Sequence, residues 1–107
     1  MRYYFLCTLI FLKYMIRNFK CKETKHLFER NIPKKFPQYI CRTVSRKLEY
    51  LNAAIEIGDL KSPPGNHLEK LSGKRKGQYS IRINDQWRIC FLWKNGDAYG
   101  VEAIDYH

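Results

Sequence analysis

The sequence ends in Asp105, Tyr106 and His107, three side chains that give up, take or orient a proton. At His107 an α-carboxylate stands beside the imidazole. That anion is expected to favour the protonated ring and make it a proton donor near neutral pH. Cations accompany the three: Arg82 and Arg88, and the run Lys74-Arg75-Lys76 between Gly73 and Gly77. Proton traffic beside fixed positive charge is the equipment of metal-free RNA cleavage. A base takes the 2′-hydroxyl proton, cations stabilise the charged phosphorane, and an acid protonates the leaving oxygen. Electrostatic stabilisation would be the largest contribution, about 3–4 kcal/mol per well-placed donor by analogy with oxyanion holes. Each feature also has an ordinary reading: a terminal histidine in solvent, a solvated Lys/Arg loop, an arginine in a cross-strand ion pair. Residue chemistry alone reaches a basic domain that binds nucleic acid.

Composition points the same way. The chain has 107 residues, 45% hydrophobic and 28% charged, which suits one globular domain with one modest core. Twenty Lys+Arg against ten Asp+Glu give a net charge of +10, an excess that attracts polyanions. Nucleic acid is the commonest; an acidic membrane surface and an acidic protein partner stay open. Cys7, Cys21, Cys41 and Cys90 show no CxxC spacing, which fits free thiols in a reducing cytoplasm. Three histidines, no close acidic cluster and no cysteine motif argue against a metal centre. No P-loop, GxGxxG or G-x-S-x-G is present, so no nucleotide cofactor is expected.

The elements that must position these residues are legible in the patterning. Residues 1–14 stand apart: Tyr3 to Leu12 is an apolar run broken only by Thr8. It is too short for a spanning helix and lacks a signal-peptide cleavage site. The functional chain is read as starting at Met15, with 1–14 an extension of uncertain status; a weak membrane anchor and an extra packed element are the alternatives. Removing it takes away Arg2 and Lys13 and no acid, so the basic surplus survives. Met15 to Lys20 suits an edge strand, and Lys22 to Arg30 a short helix stopped near Asn31 by Pro33. Pro37 opens a second helix. Its apolar residues Ile40, Val44, Leu48, Leu51 and Ile55 recur at the helical period and carry it to near Gly58. The opposite face holds Arg42, Arg46, Lys47 and Glu49, a solvated surface or else a partner or RNA surface. Ser62-Pro63-Pro64-Gly65 is a loop. Alternation then gives strands at Tyr79–Ile83 and Trp87–Trp93, a hairpin turn at Asn95-Gly96 and a last strand from Ala98 to Ile104. The expected fold is α+β: about four mostly antiparallel strands with two N-terminal helices on one face.

From Met15 to His107 the sequence resembles the HigB toxins of the RelE-like superfamily. The resemblance rests on Met15-Ile16-Arg17-Asn18-Phe19-Lys20, Lys25-His26-Leu27-Phe28-Glu29, and Leu48-Glu49-Tyr50-Leu51-Asn52-Ala53-Ala54. It continues through Leu68, Leu71, Gly73 and Gly77 to its densest stretch, Tyr79-Ser80-Ile81-Arg82-Ile83-Asn84-Asp85-Gln86-Trp87-Arg88-Ile89. Gly96-Asp97-Ala98-Tyr99 and the closing Asp105-Tyr106-His107 complete it. It implies a microbial-RNase-like fold and a cytoplasmic toxin that cleaves mRNA in the ribosomal decoding site without metal or cofactor. It also implies a HigA-type helix-turn-helix antitoxin, and operator DNA bound through the toxin–antitoxin complex. It makes Arg88 the active-site arginine and Asp105, Tyr106 and His107 the catalytic trio.

Two positions depart from the family. Where typical members read Leu-His-Pro-Leu-Lys-Gly, this chain has Leu68-Glu69-Lys70-Leu71-Ser72-Gly73. Glu69 thus replaces a histidine and Ser72 a lysine. A carboxylate can serve as the base, and Lys70 or Lys74 would have to replace the lost charge, although a strand neighbour points to the other face. Pro63-Pro64-Gly65-Asn66 ahead of Leu68-Glu69 resembles a recurrent sub-branch of the family. Lys70, Lys74, Arg75, Lys76 and Arg82 are the expected RNA contacts. The competing reading is a basic RNA- or ribosome-binding module that does not cut.

Overall fold

The structure is a computed structural model that describes residues 15–29 and 36–105. The extension 1–14, the predicted helix stop at Asn31 and Pro33, and the site residues Tyr106 and His107 lie outside the described residues.

Among the described residues two helices precede the sheet: α1 (Lys22–Phe28) and α2 (Gln38–Ala53). Four strands follow: β1 (Glu69–Lys70), β2 (Gln78–Arg82), β3 (Trp87–Lys94) and β4 (Asp97–Asp105). They lie side by side in chain order and every pair is antiparallel. The N-terminal segment joins β4 in the parallel sense. It makes two isolated bridges, Ile16 to Ala98 and Phe19 to Val101, in place of the continuous edge strand read from the sequence. The Asn52 side chain anchors its start by accepting from the backbone N–H groups of Met15 and Ile16.

The core lies between the helices and one face of the sheet. Ile40, Val44, Leu48 and Leu51 of α2 pack with Ile81, Ile89, Phe91 and Val101, all at 0–2% exposure. Burying each such side chain contributes about 1.5–3 kcal/mol. Phe36 adds an edge-on contact to Trp87, with ring centroids 5.4 Å apart. The hairpin turn forms where expected: Asn95 and Gly96 have φ of 51° and 83°, the double positive φ of a type I′ turn.

Helix α2 is shorter than its apolar period predicts. It stops at Ala53, Ala54 is extended, and Ile55, the last residue of the predicted apolar stripe, is 69% exposed. The cause is local competition for backbone donors. The Asp59 carboxylate accepts from the N–H groups of Ile55 (2.9 Å) and Glu56 (3.0 Å), and a short 3₁₀ turn, Ile57–Lys61, begins there. These backbone hydrogen bonds hold the Asp59 carboxyl below its usual pKa. Its stabilising effect is therefore present above the unfolded carboxylate value, about 3.9, and is lost as pH falls through the lower folded value. Asp59→Ala is expected to speed amide exchange at Ile55 and Glu56. It is also expected to lower the melting temperature at pH 7, with the gap to wild type closing in acid. A gap that stays constant down to pH 2 would show that the carboxylate plays no such part.

A second difference concerns Lys47. The helical pattern puts it on the solvent side of α2, whereas its actual exposure is 6%.

Candidate active site

Strand register builds the site. Antiparallel partners share a face of the sheet. Arg82 of β2 lies directly opposite Arg88 of β3, and Ile104 of β4 continues that row. The next row runs from Glu69 through Ser80 and Cys90 to Glu102. Both rows lie on the face away from the helices. There His67, Leu68, Glu69, Arg82 and Arg88 line an open cleft of about 360 Å³.

Arg88 is the most tightly held of these side chains. Its Nε donates to Ser80 Oγ at 2.7 Å and its Nη2 to the His67 carbonyl at 2.7 Å. The same Nη2 lies 3.5 Å from the Glu69 carboxylate. Its side chain is 13% exposed and that of Glu69 61%. The guanidinium is thus held by the buried Ser80 and by the backbone of the exposed His67, while the carboxylate stands at the rim. Arg82 pairs with Asp85 across the β2–β3 turn. Two arginines directly opposite on adjacent strands repel, and such pairs are normally unfavourable. Each takes a carboxylate, and the pair still presents two guanidinium groups to one cleft.

The structure separates the other predicted residues. Lys70 pairs in register with Tyr79, on the face opposite Glu69. Lys74 and Lys76 are exposed on the basic loop. Arg75 folds back over the sheet, donating to Gln78 (2.9 Å) and to Glu102 (3.1 Å), where Lys20 adds a longer ion pair. Asp105 ends β4 opposite Trp87, one position along from Arg88 and on the other face, and accepts from Gln86 Nε2 at 2.8 Å. Ser72 is exposed beside the loop.

Ser80 and the His67 carbonyl escaped the sequence reading. A small polar residue on the same strand face as Arg82 and beside Arg88 is the signal for Ser80. The His67 carbonyl left no side-chain signal at all. Cys90, the register partner of Ser80, is fully buried. Burial pushes its thiol pKa up, against the opposing pull of Arg75 and Arg88, so it supplies no ready thiolate. Among the described residues no group of three His, Cys, Asp or Glu side chains is placed to hold a metal ion. Nor, among them, is any helix long and apolar enough to cross a membrane.

Residues 17–107 match the family described as the RelE-like toxin of the type II toxin–antitoxin system HigB. The chain belongs to the HigB-like toxin family. It is 38% identical over 93 residues to a Proteus vulgaris protein named Endoribonuclease HigB, an alignment covering 87% of this chain and 100% of that one. It is 48% identical over 62 residues to Toxin HigB-1 of Vibrio cholerae serotype O1, covering 58% of this chain and 65% of that one. As a HigB-like toxin the chain has a cognate antitoxin, and its cleft pairs an arginine of β3 with a carboxylate of the edge strand β1, two strands away.

Proposed function

We propose that this HigB-like toxin is an endoribonuclease that cleaves mRNA in the decoding site of the ribosome, without metal or cofactor, and so arrests translation. The observation that supports this most directly is the cleft in which Arg82 and Arg88 face each other beside Glu69. A planar guanidinium held by Ser80 and His67 offers donors in a fixed fork, matched to phosphate oxygens.

In the reaction, Glu69 takes the proton of a ribose 2′-hydroxyl. The 2′-oxygen attacks the adjacent phosphorus, and Arg88 and Arg82 stabilise the charge that builds on the phosphorane oxygens. The bond to the 5′-oxygen breaks, leaving a 2′,3′-cyclic phosphate, and that oxygen takes a proton from His107, with Tyr106 and Asp105 orienting the donor. Lys74 and Lys76 contact the RNA backbone beyond the cleft. Arg75 braces their loop through Glu102, and Lys70, on the other face, contacts surrounding RNA. A cytoplasmic HigA-type antitoxin with a helix-turn-helix silences the toxin, and the complex binds operator DNA. A second reading is favoured by one observation: the Glu69–Arg88 pair occupies the cleft where the typical family carries a histidine. On that reading the protein binds the ribosome and RNA without cutting.

Primer extension on a defined mRNA separates the two. Programmed ribosomes are mixed with the full chain, and a matched reaction omits ribosomes. Cleavage that requires ribosomes and is lost on deleting His107 is the expected result. Stalled ribosomes with intact mRNA would support the non-cutting binder. Cleavage retained by the His107 deletion would remove His107 from the mechanism.

A further inference from the structure

A buried polar pair that the proposed reaction does not use joins α2 to the residue just ahead of the cleft-lining His67. Lys47 of α2 is 6% exposed and Asn66 is 0% exposed. Lys47 Nζ donates to Asn66 Oδ1. The Asn66 amide nitrogen donates to the carbonyls of Leu60 (3.1 Å) and Ser62 (3.3 Å). One side chain thus ties the helix to both turns of the connection ahead of β1. Burial, together with Arg46 and Arg82 nearby, pushes the Lys47 pKa down. Placing an ammonium there is costly, and an apolar residue of equal length would normally be cheaper.

The next residue in the chain is His67. It takes a left-handed conformation, φ 43° and ψ 58°, which is uncommon for a residue other than glycine. That conformation ends the 3₁₀ turn Pro64–Asn66, and the carbonyl that follows accepts from Arg88 Nη2. We propose that Lys47, acting through Asn66, is the positioning residue for Arg88: the buried pair fixes the turn whose left-handed end holds the His67 carbonyl against the guanidinium. This rests on the reading of Arg88 as the cation that stabilises the transition state. A small displacement of such a group is enough to lower a rate about 100-fold.

The test is a double-mutant cycle in single-turnover mRNA cleavage on programmed ribosomes. Lys47→Met keeps the length and apolar stem and removes the donor. It is expected to lower the cleavage rate about 10- to 100-fold, with the half-saturating toxin concentration moving less than about 3-fold. In the Arg88→Ala background the same substitution is expected to change the residual rate by less than about 2-fold, because the positioned group is already gone. Lys47→Arg, which keeps a charged donor, is expected to recover most of the rate. In nitrogen-15 spectra the Nε–H signal of Arg88, assigned by its absence from Arg88→Ala, is expected to shift in Lys47→Met. Asn66→Asp keeps an acceptor for Lys47 and loses the donors to Leu60 and Ser62; it enters the same cycle if Lys47→Met melts below the assay temperature. Equal losses in both backgrounds, or a wild-type rate with an unmoved Arg88 signal, would overturn the positioning role. A wild-type rate in Arg88→Ala alone would instead overturn the reading of the cleft on which it rests.

Discussion

Arg88→Ala is expected to lower mRNA cleavage about 100- to 1,000-fold, the loss typical of removing one preorganised donor from a developing oxyanion. The guanidinium suits that role because it is immobilised before substrate arrives. The buried Ser80 and the His67 carbonyl hold it from two directions, and Glu69 meets it at the solvent-exposed rim. The fold should survive the change. Alanine strands the Ser80 hydroxyl and one carbonyl, at a cost of about 1–3 kcal/mol, but also removes a like charge opposite Arg82. Arg88→Lys should rescue little, since a point charge on a flexible stem cannot reach Ser80 and His67 together in the guanidinium's fork. Primer extension gives the rates and thermal melting the stability. A melting curve near wild type with cleavage undiminished would exclude Arg88 from the chemistry.

Glu69→Gln is expected to produce the second large loss, about 100- to 10,000-fold, as befits removal of a general base. Glutamine keeps the shape and loses the proton acceptor. Because Glu69 also pairs with Arg88, the substitution should slightly strengthen RNA binding by leaving the guanidinium to the phosphate. The rate and the affinity therefore move in opposite directions, which a purely electrostatic role for Glu69 would not produce. On the proposed mechanism Glu69→His supplies an imidazole in place of the carboxylate base and is expected to recover activity, with a pH profile displaced upward. Undiminished cleavage by Glu69→Gln would assign the 2′-hydroxyl proton to another group.

The facing of Arg82 and Arg88 in the candidate site was legible because strand alternation is a short-range signal. Arg82 and Arg88 alternate with Ile81, Ile83, Trp87 and Ile89, and a tight turn between them places both on one face. Alternation equally separates Glu69 from Lys70, which pairs with Tyr79 on the other face. Arg75 was less legible. Its type suggested RNA, but its partner Glu102 is 27 residues away and meets it only once β4 has paired with β3.

Short-range patterning predicts most of the elements and most of the apolar residues they bury. The apolar steps of α2, the alternation of β2 and β3, and the Asn95-Gly96 turn each depend on neighbours a few residues apart, and backbone geometry leaves them little choice. Tertiary structure alone decided where polar groups found their partners. Asn66, 19 residues from Lys47, drew a lysine into the interior that its helix position assigned to solvent. The His67 carbonyl, 21 residues from Arg88, became part of the site without any side-chain signature. The physical reason is one of range. Periodicity records which side of an element faces apolar surroundings, while a buried donor is satisfied by whichever acceptor the completed fold brings within reach.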